Sequence, residues 1–159
     1  MDDGRRTTDD EAIAIHQAHP SLRLDEDAVR AAVARVLDGE GFTVADLSVA
    51  LADHATVRAL NRDWLGHDYD TDVVSFPLDE AAATRREVDG EIYVDLDTAA
   101  ERAPEFGATM EVEALRYVVH GLLHLLGHDD ATDEGRAAMR RLEDRYLREG
   151  EWEKGGKGE

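Results

Sequence analysis

The chain of 159 residues contains no cysteine. Disulfides, a disulfide-linked partner and thiolate metal ligands are therefore excluded, and any metal must be held by imidazole, carboxylate or carbonyl groups. Lysine is nearly absent as well: of 18 basic residues, only Lys154 and Lys157 are lysine. No apolar run approaches the ~18 residues of a membrane span. The start, MDDGRRTTDDEA, also lacks the apolar stretch of a secretory signal. These absences point to a cytoplasmic protein with no membrane partner. There is neither an internal repeat nor a Pro/Ser-rich linker, so one domain is expected over residues 1–150, followed by a flexible, charged tail at 151–159, EWEKGGKGE. A chain of this length buries about two thirds of the surface it exposes when unfolded, enough for a single core.

What the chain has in excess is negative charge, 37 acidic residues against 18 basic ones, for a formal charge of -19. An acidic, lysine-poor, arginine-bearing surface suits a salt-rich cytoplasm, in which carboxylates hold water and cations and the Debye length shrinks to ~3 Å at 1 M salt. The same acidity opposes loose electrostatic binding to nucleic acid, although it leaves room for a locally basic groove.

Hydrophobic periodicity divides the chain into elements. Ala12 to His16 alternates as a first strand. Asp25 to Leu37 carries Ala28, Val29, Ala32, Val33, Val36 and Leu37 at helical spacing, with acidic residues in its first turn and glycines beyond its end. Leu47 to Leu51 reads as a strand, after which Asp53 can cap a helix through Val57, Leu60 and Trp64 to Gly66. Val73 to Phe76, stopped by Pro77, and Ile92 to Val94 are further strands, with residues 78–90 between them expected to loop out. Helices are expected over Asp97–Phe106, Thr109–Leu126 and Asp133–Leu147. The order predicts an α+β fold, a small mixed β-sheet of about four strands covered by about five helices.

One stretch carries chemistry: HGLLHLLGHDD, residues 120–130, which holds three of the chain's seven histidines. Residues four apart on a helix lie about 40° apart around the axis and ~6 Å along it, so His120 and His124 project side by side and can share one metal ion. Gly127 ends the helix and turns the chain back, offering a third ligand from His128 or Asp130. An isolated pair of histidines at this spacing is common. Here, however, Val118, Val119, Leu122, Leu123, Leu125 and Leu126 make the helix a core element in which unpartnered imidazoles would be costly. With three protein ligands the ion keeps a position open for water, whose pKa on zinc falls toward ~7, so hydrolysis is implied. A closed structural site would need a fourth protein donor, and both His128 and Asp130 are available. In zinc peptidases with related spacing the residue after the first histidine is a glutamate base. Here it is Gly121, which argues against a peptidase.

The same stretch resembles the YbeY family of metal-dependent endoribonucleases of ribosomal RNA maturation, matching the signature HGxLHLxGxDH except at its last residue. Leu60-Asn61, the stretch Thr71 to Pro77 (TDVVSFP), Gly90-Glu91-Ile92, and Met139 with Glu143 also match, and the resemblance covers roughly residues 45–147. It implies a single zincin-like domain, one zinc ion, and single-stranded ribosomal RNA as substrate, notably the 3′ end of the small-subunit RNA, in maturation and ribosome quality control on the small ribosomal subunit.

Carried over residue by residue, the resemblance makes His120 and His124 catalytic metal ligands and Asp130 the third ligand, in place of the family's usual histidine. His128 becomes a neighbour of the site or an alternative ligand. Asp130 brings a harder donor and a further negative charge, which widens the choice of ion from zinc to other divalent transition metals. The family arginine ahead of TDVVSFP is Leu65 here. Arg58 and Arg62 on the preceding helix are candidate RNA contacts that could replace its charge, His67 in the loop that follows is a further candidate, and Ser75 would end a strand beside the cleft. The arginines at 136, 140, 141, 145 and 148 are interleaved with acidic residues and read mostly as a salt-bridged surface. Two alternatives have other consequences. A non-catalytic ribosome-assembly or RNA-binding factor with a structural metal would unfold on chelation, whereas a hydrolase of another substrate, peptides included, would need a carboxylate base.

Overall fold

The computed structural model describes residues 12–66 and 71–158, with side chains described up to Arg148. His67 and the amino-terminal acidic stretch lie outside the described residues. Four strands, β1 (Ile13–Gln17), β2 (Thr43–Ala52), β3 (Val73–Pro77) and β4 (Glu87–Asp95), form one sheet in the order β1-β2-β4-β3. β1 and β4 run parallel to β2, and β3 pairs antiparallel with β4, so the sheet is mixed. Five α-helices accompany it: α1 (Glu26–Glu40), α2 (His54–Leu65), α3 (Leu96–Arg102), α4 (Met110–Leu125) and α5 (Asp133–Gly158). Short 3-10 turns lie at Ala82–Arg85 and Ala103–Phe106. The expected α+β architecture is the one observed. Among the described residues, no helix is long and apolar enough to cross a membrane.

Most elements begin where local chemistry says they should. Asp53 accepts a hydrogen bond from the Thr56 amide at 2.9 Å and caps α2, while Thr109 caps α4 by accepting from Val112. One expectation fails. Residues 87–90 are not loop but the first half of β4, whose register runs from Glu87 opposite Thr43 to Asp95 opposite Ala52. Their polar composition hid a strict alternation: Val88 and Gly90 are buried, and Glu87 and Asp89 turn outward.

The alternation sorts the sheet into two faces. Leu47, Val49, Leu51, Val88, Ile92 and Val94 point toward α1, α4 and α5 and join Val29, Val33, Val118, Leu122 and Tyr146 in the main core. Ala52 and Val74 point the other way and pack under Val57 of α2 with Leu60, Phe76 and Tyr93. α2 and α4 therefore lie on opposite faces of the sheet, which separates Arg58 and Arg62 from the histidine helix.

α4 packs tightly against the sheet at Gly121. A Cβ there would sit 2.8 Å from Ile92 Cγ2, 2.9 Å from Ser75 Oγ and 3.0 Å from Val73 Cγ2. The position that carries a glutamate base in zinc peptidases thus has no room even for a methyl group.

Candidate metal centre

His120 and His124 occupy successive turns of α4, and their Nε2 atoms are 3.1 Å apart. Beyond Leu126 the chain turns at Gly127, whose φ of 107° suits only glycine, and the His128 amide closes the helix on the Leu123 carbonyl at 3.1 Å. Asp129 then accepts from the Ala131 amide at 2.8 Å, and Thr132 from Gly135 as α5 begins. This tight loop brings Asp130 Oδ2 back to 3.3 Å from His120 Nε2 and 3.4 Å from His124 Nε2. The three ligand atoms form the one group among the described residues that could hold a metal ion.

Their spacing suits an ion. Four donors placed tetrahedrally at ~2.0–2.1 Å from a metal are ~3.3–3.4 Å from one another, and the trio's edges are 3.1, 3.3 and 3.4 Å. Two neutral imidazoles and a carboxylate also make a donor set appropriate to a divalent transition metal.

The other nitrogen of His120, Nδ1, donates to Glu143 Oε2 of α5 at 2.6 Å. That bond fixes the tautomer, leaving the Nε2 lone pair turned toward Asp130 and His124. Burial alone would lower the His120 pKa, but the hydrogen bond and charge of Glu143, with the charges of Asp72 and Asp130, outweigh it and raise the value. Glu143 is itself buried and is held by Arg116, which reaches it at 3.1 Å and Asp144 at 2.9 Å.

His128 points elsewhere. Its Nε2 lies 2.8 Å from Glu40 Oε1, at the end of α1, and the other oxygen of Glu40 accepts from the Tyr146 hydroxyl at 2.6 Å. Glu40 thus links the His128 side chain to α1 and, through Tyr146, to α5. Burial pushes its carboxyl up, but the hydrogen bonds from Tyr146 and His128 dominate and hold it below its ordinary value.

A pocket of ≈ 310 Å³ opens beside His120 and Asp130. Arg102, Arg116, Arg136 and Arg140 line it, together with Asp72, Phe106 and Tyr117. Neither Arg58 nor Arg62 is among the lining residues; Arg62 pairs with its neighbour Asp63 at 2.8 Å. Ser75 donates its hydroxyl to the Gly121 carbonyl at 2.9 Å, so it fastens β3 to α4. Leu65 sits 40 % exposed at the end of α2. Burial raises the pKa of Asp72, against the opposing charges of His120 and Arg102.

Glu143 stands in the sequence with no sign of its partner, and neither Glu40 nor Arg116 carries a local signal of its contact with the site. Glu40 lies 88 residues from His128, and no local pattern announces such a pairing.

Residues 13–151 match the family model described as endoribonuclease YbeY. A protein of that name from Salinibacter ruber is 51% identical over 142 residues, covering 86% of this chain and 90% of its own. Another from Chlorobium phaeovibrioides is 43% identical over 134 residues, covering 83% and 88%. A solution structure of a Thermotoga maritima protein superposes with a TM-score of 0.61 at 30% identity, over 92% of this chain and 95% of that one. The histidine signature, the fold that closes it into a three-donor centre, and these matches together place the chain in the endoribonuclease YbeY family.

Proposed function

We propose that the protein is a metal-dependent endoribonuclease that cuts single-stranded ribosomal RNA in the cytoplasm, acting at the 3′ end of the small-subunit RNA in its maturation and in ribosome quality control. The observation that carries this reading is the convergence of His120 Nε2, His124 Nε2 and Asp130 Oδ2 within 4.8 Å at the edge of a pocket. Family membership supports the reaction class, and the absence of cysteine together with the acidic surface supports the compartment.

In this reading His120, His124 and Asp130 hold one ion, zinc or another divalent transition metal. The ion supplies Lewis-acid polarisation of a phosphodiester and its attacking water. The chain's own residues do the rest. Glu143 keeps the Nδ1 proton of His120 in place so that Nε2 stays a donor. Arg116 orients Glu143 through an ion pair at 3.1 Å. The pocket beside the trio receives the strand, and its arginines offset the phosphate charge.

The alternative, a structural metal in a non-catalytic RNA-binding factor, needs a fourth protein donor. His128, the nearby candidate, is engaged by Glu40 instead. The protein charged with zinc should cleave a single-stranded RNA, lose the activity on chelation and regain it on restoring the ion. His120→Ala should remove cleavage with the circular dichroism spectrum unchanged. Equal cleavage by both proteins would assign the activity to a contaminant and end this reading.

A further inference from the structure

The net charge of -19 makes a local gathering of arginines informative. Four of them line the pocket beside His120 and Asp130, and three are already committed. Arg116 holds Glu143 and Asp144, Arg102 stands 3.7 Å from Asp72, and Arg136 pairs with Asp133 and reaches the Asp130 carbonyl. Arg140 alone of the four makes no ion pair or side-chain hydrogen bond among the described residues, and it is exposed. Its charge is therefore available to a ligand.

Phe106 lines the same pocket at the end of the 3-10 turn Ala103–Phe106, and it is 63 % exposed. Its neighbour Gly107, and Pro104 before it, hold this turn out at the rim. A large aromatic left in water and an unpaired guanidinium lining the same pocket are groups that proteins use to grip an unpaired nucleotide, with the base on the ring and the phosphate on the cation. Tyr117, buried on the pocket wall beside Glu113, adds a second aromatic ring to the lining. The volume of ≈ 310 Å³ admits one nucleotide. It excludes a duplex, whose bases are stacked on one another and cannot reach Phe106.

We propose that this pocket seats one unpaired nucleotide of the RNA strand, its base stacked on Phe106 and its phosphate held by Arg140, next to the bond presented to the metal centre. The proposal rests on the endoribonuclease reading and deepens it. Phe106 reads a π-face and Arg140 a phosphate, so the seat selects single-stranded RNA with little base preference.

The test uses the zinc-loaded full chain and a short fluorescent oligoribonucleotide with 2′-O-methyl, phosphorothioate linkages, which binds without being cut. Anisotropy is read for the wild type, Phe106→Ala, Phe106→Trp, Arg140→Ala and Arg141→Ala. Arg141 lies outside the pocket on the same helix, so its removal controls for net charge. Phe106→Ala should weaken binding about tenfold or more, and Phe106→Trp should keep it. Arg140→Ala should weaken binding and flatten the logarithmic salt dependence by about 0.7, one phosphate contact on a single strand. Arg141→Ala should do neither, and duplex RNA should not compete. Binding by Phe106→Ala and Arg140→Ala within twofold of the wild type, or equal losses at Arg140 and Arg141, would overturn the seat. If the wild type cleaves RNA while these variants bind normally, only the seat falls. If the wild type neither binds nor cleaves RNA, the endoribonuclease reading falls with it.

Discussion

Glu143 accepts a 2.6 Å hydrogen bond from Nδ1 of His120, a contact that joins α5 to α4 across 23 residues of sequence. The bond leaves one tautomer of His120 able to meet an ion. Removing such a carboxylate costs about 10–100-fold in metal affinity. Glu143→Ala should therefore weaken zinc binding by that factor in a chelator competition, while Glu143→Gln, which keeps an acceptor, should lose less. Unchanged affinity in Glu143→Ala would mean that the loop and α4 alone orient the ligands.

Gly121 marks a close approach of α4 to the sheet. Gly121→Ala should destabilise the fold by about 1–3 kcal/mol through overpacking, in spite of the roughly 1 kcal/mol by which alanine favours a helix. Urea denaturation measures the difference. A rise in stability would show that α4 can ride outward freely.

Glu40 accepts from Tyr146 and pairs with His128, so Glu40→Ala strands a buried tyrosine hydroxyl and frees the metal loop at once. A stability loss of about 1–3 kcal/mol is expected, together with weaker zinc binding. Metal affinity equal to that of the wild type would show that the loop holds Asp130 without this tie.

The same residue sets a pH dependence. The folded protein holds the Glu40 carboxyl below its ordinary value of 4.5, so the unfolded chain binds the extra proton. The contribution is therefore present above that value and is lost as pH falls through the folded pKa. The stability gap between the wild type and Glu40→Gln should be full at neutral pH and should close below pH 4.5. A gap that persists in acid would assign the effect to packing.

The charge of -19 predicts a salt response. Self-repulsion within the fold is screened as the Debye length shrinks. Thermal melts should shift upward from dilute buffer to molar KCl, and a downward shift would show that ion pairs outweigh repulsion.

The sequence by itself determined the class of the fold and the pairing of His120 with His124. Helical spacing puts His120 and His124 on one face, Gly127 demands a turn, and the caps Asp53 and Thr109 start helices where their hydroxyl or carboxylate meets a free amide. These are local facts, settled within one or two turns of backbone. The tertiary structure decided the remainder. It turned His128 to Glu40, left Asp130 with the two histidines, put α2 with Arg58 and Arg62 behind the sheet, and set Phe106 and Arg140 around one pocket. Each outcome depends on how elements distant in sequence pack. A strand hidden by polar outward residues, such as Glu87 to Gly90, becomes legible only when β2 supplies its hydrogen bonds.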